Sequence, residues 1–167
     1  MSEFDVRFEW LHPSKVAYVH ASGDNPEEAA MAKILKWADS KGLTRQHELS
    51  LFGRNTYPTD HPEPHGYEYY LTLNGDFKSE GEIEIKTLPA GLYAVLRFKN
   101  LFMIQDAWMR LIKWVQENGH EQVGMTKGAY GWVNSGFEEL INWQELKNQK
   151  PPTEWLFDLW LQIKNKH

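Results

Sequence analysis

The chain has 167 residues and a formal charge of −5, with a pI near 5.8. Contact with nucleic acid needs clustered Lys and Arg to neutralise phosphates, so direct nucleic-acid binding is not expected. The absence of cysteine excludes a disulfide framework, a thiolate ligand and a thiol nucleophile, and it permits a reducing compartment.

The length suits one domain, 1–167. An aromatic content of 14%, including eight Trp, must fill a core or line a pocket. The start, Met1-Ser2-Glu3-Phe4-Asp5, has no basic and then apolar run, and no apolar stretch approaches the length of a membrane span. A soluble, cytoplasmic protein without a membrane partner is expected.

From Asp5 to His20, short apolar runs broken by His12-Pro13-Ser14 predict a strand, a tight turn and a second strand, Lys15 to His20. Ser22 to Glu28 then supplies a loop, an Asp or Asn cap, Pro26 near the first helical position and acidic residues for the first turn. The helix that follows places Ala30, Met31, Ile34, Leu35, Trp37 and Ala38 at spacings of three and four, and Gly42 marks its stop. A short strand is expected near Leu49 to Phe52, followed by a long irregular loop holding Pro58, Pro62 and Pro64.

The next strand, Tyr67 to Leu73, alternates. Tyr67, Tyr69, Leu71 and Leu73 take one face, and Glu68, Tyr70 and Thr72 the other. Asn74-Gly75-Asp76 ends it, and a further strand from Gly81 to Leu88 reaches Pro89-Ala90-Gly91.

The pattern then repeats. Placing Pro13 on Pro89 aligns Val16-Ala17-Tyr18-Val19 with Leu92-Tyr93-Ala94-Val95; one residue of slippage then aligns Leu35-Lys36-Trp37 with Ile112-Lys113-Trp114 and Gly42 with Gly119. A second helix, about Gln105 to Asn118, follows from Ala107, Trp108, Leu111, Ile112 and Val115 on one stripe. On this alignment Gly136-Phe137-Glu138 falls at the stage of Gly66-Tyr67-Glu68. The last run, Trp155 to Ile163, is apolar almost throughout and predicts a central strand buried on both faces. The fold class is α+β: two β-hairpin-plus-helix halves, about 5–80 and 81–165, sharing a mixed, largely antiparallel sheet with two main helices.

The order Lys15 to Val19, Tyr67 to Leu73, Pro89 to Val95, Phe137-Glu138 and a closing strand ending Ile163-Lys164 resembles the GyrI-like small-molecule-binding (effector-binding) domain. That domain occurs in AraC-type and MerR-type transcription regulators and as free-standing proteins. The resemblance covers about Asp5 to Lys164. It implies a pseudo-twofold fold with a central, aromatic-lined cleft, an acidic residue at its base and lipophilic, often cationic ligands. The family's buried glutamate matches Glu138. Leu140 stands where the family commonly has Tyr, removing one aromatic wall, and Gln162 where it often has Pro.

The expected ligand-binding residues are Glu68 and Glu138 as acidic anchors, Tyr70, Tyr93, Trp108 and Trp132 as walls, and Phe102 at the mouth. A carboxylate buried among rings is costly unless compensated, so an entering cation would be favoured, with cation–π attraction from the rings. The reading is a sensor or sequestering protein for a hydrophobic, cationic small molecule, regulating transcription in the manner of a multidrug-binding domain.

A second reading is a cofactor-free hydrolase of strained electrophiles, with Glu138 as its catalytic residue. A third is an interaction module such as a gyrase antagonist, which leaves room for a protein partner or a homodimer. Trp37 and Trp114 read as core. No cofactor is expected, since no phosphate loop or dinucleotide fingerprint appears; no metal is expected either, since a Pro-rich loop does not hold His61 and His65 on one face as a helix would.

Overall fold

A computed structural model describes residues 5–46, 48–58, 65–148 and 150–165. In chain order the elements are β1 (Val6–Leu11), β2 (Ser14–Ser22), α1 (Pro26–Ser40), β3 (Leu51–Thr56), β4 (Gly66–Thr72), β5 (Glu84–Leu88), β6 (Gly91–Lys99), α2 (Ile104–Glu117), β7 (Thr126–Gly128), β8 (Gly131–Val133), β9 (Gly136–Leu140) and β10 (Leu156–Gln162). Among the described residues no helix is long and apolar enough to cross a membrane.

The chain divides into two compact units. The early unit holds Pro13–Pro89 and Met125–Asn134; the late unit holds the chain up to His12, Ala90–Gly124 and the residues from Ser135 on. In the early unit β3, β4, β2 and β5 form antiparallel ladders in that order, with β7 and β8 as a separate hairpin. In the late unit β9, β10, β6 and β1 do the same. Both units have one α+β topology.

The helices form where expected. Helix α1 starts at Pro26 with Glu27 and Glu28 in its first turn, buries Ala30, Ile34, Trp37 and Ala38, and packs on β2 and β4. In the late unit Ala107, Leu111 and Val115 of α2 bury against Ala94 and Leu96 of β6 and Leu159 and Leu161 of β10. Gly42 and Gly119 follow the two helices at φ 73° and 76°, a left-handed stop that favours glycine. Strand β10 lies between β6 and β9, and Phe157 to Leu161 are all buried, as their near-continuous apolarity predicts.

The strands of both predicted hairpins form, but they do not pair with each other: β1 pairs with β6, and β5 pairs with β2. The two-residue links explain this. A tight two-residue hairpin needs positive φ in its turn, and neither His12-Pro13 nor Pro89-Ala90 adopts one.

The exchange sets the true repeat register. Ser14 opens β2 opposite Leu88, and Gly91 opens β6 opposite Leu11, so Ser14 corresponds to Gly91. That separation equals the one between Leu35 and Ile112, and between Gly42 and Gly119. No slippage is needed. Anchoring on Pro13 and Pro89 misaligned the first strands by one residue, which exchanges their faces. By the same registers β4 corresponds to β10 and β3 to β9, so the counterpart of Glu68 is Asp158, and Glu138 matches Gly53.

Candidate functional site

Alternation along four strands puts Tyr18 and His20 of β2, Arg54 of β3, Glu68 and Tyr70 of β4, and Lys86 of β5 on one face of the early unit's sheet. The register sets Tyr18 opposite Tyr70, and both His20 and Arg54 opposite Glu68. Tyr67 and Tyr69 point to the other face, where their rings lie so close to Gly53 that a β-carbon there would stand 2.5 Å from the Tyr67 hydroxyl and 2.8 Å from Tyr69. Glycine at that position lets the rings cross β3.

Glu68 is 2% exposed, and both its oxygens are engaged. Tyr18 Oη donates to Oε1 at 2.7 Å, while Tyr70 Oη and Arg54 Nε donate to Oε2 at 2.5 and 2.8 Å. Arg54 Nη2 also donates to Tyr70 Oη at 3.0 Å. Burial of the carboxylate is thus compensated by one cation and two phenols. Burial, with the Glu68 charge adding to it, holds the Tyr18 hydroxyl far above its ordinary pKa. Burial also raises that of Tyr70, against the opposing pull of Arg54. Both phenols therefore remain protonated donors.

The rings carry cations. Tyr18 and Tyr70 are tilted neighbours with centroids 5.0 Å apart. Lys86 Nζ lies 3.4 Å from the Tyr18 centroid and 5.7 Å from that of Tyr70, and Arg54 Cζ lies 5.3 Å from the Tyr70 centroid. Burial lowers the pKa of Lys86, while Glu84 and Glu68 pull it back up.

Tyr130, in the β7–β8 turn, stacks on His20 at 3.9 Å and lies nearly parallel to Tyr18 at 6.3 Å, yet is 55% exposed. Gly131, at φ 112°, makes that turn. His20 Nε2 is 2.9 Å from Thr56 Oγ1, and burial lowers the His20 pKa.

The equivalent face of the late unit is built on charge. Asp158, 1% exposed, accepts from Arg7 Nη2 at 2.6 Å and from Arg97 Nε and Nη2 at 2.9 and 3.1 Å. Burial alone would raise its pKa; the two guanidiniums outweigh that and hold it below the ordinary carboxylate value. Beside it Trp160 Nε1 donates to Glu139 Oε1 at 3.0 Å, and Arg7 Nε donates to Glu9 Oε1 at 3.0 Å.

Of the expected ligand residues, Glu68 and Tyr70 come together. Trp132, also in the early unit, sits on β8 with its backbone paired to Tyr57. In the late unit Trp108 Nε1 donates to Glu138 Oε2 at 2.9 Å. Glu138 is half-buried and shares a face with Leu159, on the α2 side of the sheet. Tyr93 lies on the opposite face, against Phe137 and Trp160 with centroids 6.1 and 5.6 Å away, so the sheet separates it from Glu138. Phe102, in the turn before α2, is 74% exposed.

His61 lies outside the described residues; among those described, no three His, Asp or Glu residues converge as metal ligands. Sequence reasoning passed over Tyr18, His20, Arg54, Lys86 and Tyr130. Alternation between Tyr18 and His20, and between Glu68 and Tyr70, was the available signal for two of them.

Residues 4–128 match a family model described as the GyrI-like small molecule binding domain. The chain belongs to this GyrI-like family. None of the curated proteins matches the sequence. Among solved structures, the EcmrR C-terminal domain superposes at a TM-score of 0.70 with 15% identity, covering 98% of this chain and 99% of that one.

EcmrR in a complex with DNA gives 0.69 at 14% identity, over 97% of this chain and 58% of that one, so this chain spans little more than half the length of that protein. SAV2435 bound to tetraphenylphosphonium gives 0.50 at 11% identity, over 96% of this chain and 94% of that one. At these identities the likeness is one of fold.

Proposed function

We propose that this GyrI-like domain binds a hydrophobic small molecule with a positively charged end, and that the charge sits against Tyr18 and Tyr70 beside Glu68. The observation that carries the reading is the pair of tilted phenol rings whose hydroxyls both donate to a carboxylate that is 2% exposed, with a side-chain ammonium 3.4 Å from one ring centroid. A ring face attracts a cation, and the nearby carboxylate strengthens the attraction where water is excluded. The binding of tetraphenylphosphonium by SAV2435, a protein of similar fold, supports the same ligand class.

Tyr130 supplies a further, exposed ring that can close over a bound molecule. Glu138 with Trp108, in the other unit, offers a second acid–aromatic pair for the same kind of ligand. The protein then works as a sensor or a sequestering protein.

Binding fits better than turnover. Resident donors hold both oxygens of Glu68, and Glu138 Oε2 accepts from the Trp108 indole, an arrangement that suits two fixed anions better than a proton-accepting base. The test is a titration with tetraphenylphosphonium, read by calorimetry and tyrosine and tryptophan fluorescence, on the wild type, Glu68→Gln and Glu138→Gln. Saturable binding that weakens at least about tenfold in Glu68→Gln supports the reading. Wild-type binding that neither substitution weakens, or no binding at all, overturns it.

A further inference from the structure

Lys86 is placed oddly for a lysine. Its ammonium makes no ion pair among the described residues and lies instead over the Tyr18 ring, within reach of Tyr70, where burial lowers its pKa. The other cation at the site is held differently. Arg54 has a side chain only 18% exposed and is locked by hydrogen bonds to Glu68 and Tyr70, so it cannot leave without stranding a buried carboxylate.

Lys86 has no such tie. It stands on β5, the strand that ends the early unit's ladder, on a flexible four-carbon stem that can swing its ammonium into water. One cation at this centre is therefore structural and the other exchangeable.

We infer that Lys86 is the protein's own occupant of the cation seat on Tyr18, and that a ligand cation binds by displacing it. The inference rests on the cation-binding reading above and adds a determinant of affinity and selectivity. A neutral or weakly held molecule cannot dislodge the ammonium. A lipophilic cation can, because it brings both charge and apolar surface, while Lys86 regains the hydration that burial denied it. The seat is thereby kept filled in the absence of ligand, sparing Glu68 and the two rings an unoccupied apolar face.

Tetraphenylphosphonium titrated into the wild type, Lys86→Met and Lys86→Arg tests this by calorimetry. Methionine retains the apolar stem and removes the competitor, so Lys86→Met should bind about tenfold more tightly than the wild type. Lys86→Arg keeps a cation that stacks well on a ring and should bind no more tightly than the wild type.

A second reading, on the unmutated protein, follows the ε-methylene protons of Lys86 by NMR. With Nζ 3.4 Å from the Tyr18 centroid, the ring current should shift them upfield in the free protein, and they should return to ordinary positions as the ligand saturates. Equal binding by the wild type and Lys86→Met, or methylene shifts that survive saturation, overturns the role of Lys86 while leaving the ligand class intact. Absence of binding in both proteins overturns the ligand class, and this inference with it.

Discussion

The two units place a buried acid at the same topological position, Glu68 on β4 and Asp158 on β10, and surround it in opposite ways. Position by position, Arg54 corresponds to Glu139, Lys86 to Glu9, Glu84 to Arg7, His20 to Arg97, and Tyr18 to Val95. Around Asp158 the partners are two guanidiniums whose side chains are 40% and 53% exposed. They neutralise the acid completely and tie β1 and β6 to β10, a clasp. Around Glu68 a single buried guanidinium is joined by two phenols, and the remaining cation rests on a ring rather than on a carboxylate. The comparison teaches that a duplicated carboxylate becomes a stabilising element or a recognition element according to whether rings or counter-charges surround it.

The strongest way to sharpen this contrast is to remove one cation from each centre. Arg54→Met leaves Glu68 buried without a counter-ion and should cost about 3–5 kcal/mol in urea unfolding. Arg7→Ala or Arg97→Ala alone should each cost less than about 1 kcal/mol, since the half-exposed partner that remains still pairs Asp158. Their combination should exceed the sum of the singles. Equal losses at the two centres would erase the distinction.

Ligand binding offers the next largest difference. Asp158→Asn should bind tetraphenylphosphonium as the wild type does, while Glu68→Gln loses at least about tenfold, or about 1.4 kcal/mol. A matching loss in Asp158→Asn would make the clasp a part of the site.

A smaller effect is expected in acid. The pKa of Asp158 is lower in the folded protein than its ordinary 3.8. Its contribution to stability is therefore present above pH 3.8 and disappears as the pH falls through the lower folded value. Asp158→Asn should unfold with a shallower pH dependence below pH 4, measured by circular dichroism.

His20 gives the mildest effect. Its folded pKa lies below the ordinary 6.5, so stability should decline slightly as the pH falls through 6.5, because the unfolded chain takes the proton more readily. A His20→Gln variant should lack that slope.

Much of the architecture was legible along the chain, because it depends on local periodicity and on glycine and proline signals. Both helices, the alternating strand with Glu68 and Tyr70 on one face, the buried β10 and the repeat itself fall in this class. The resemblance to the GyrI-like family rests on the same ordered runs. The strand expected near Leu49 to Phe52 runs on to Thr56, although Gly53-Arg54-Asn55 reads as polar loop, because Arg54 enters a buried ion pair and Gly53 makes room for two tyrosine rings.

What the sequence by itself determined is the kind of each element and the face each side chain takes along its own strand, since these follow from a period of two or 3.6 residues. Only the tertiary structure decided which strands pair, and with them which residues meet. The exchange of β1 and β5 sets the repeat register, makes Asp158 rather than Glu138 the counterpart of Glu68, and brings Arg54 and Lys86 to the tyrosines. Pairing across long stretches of chain is chosen by the burial of whole faces, a property that no local run of residues carries.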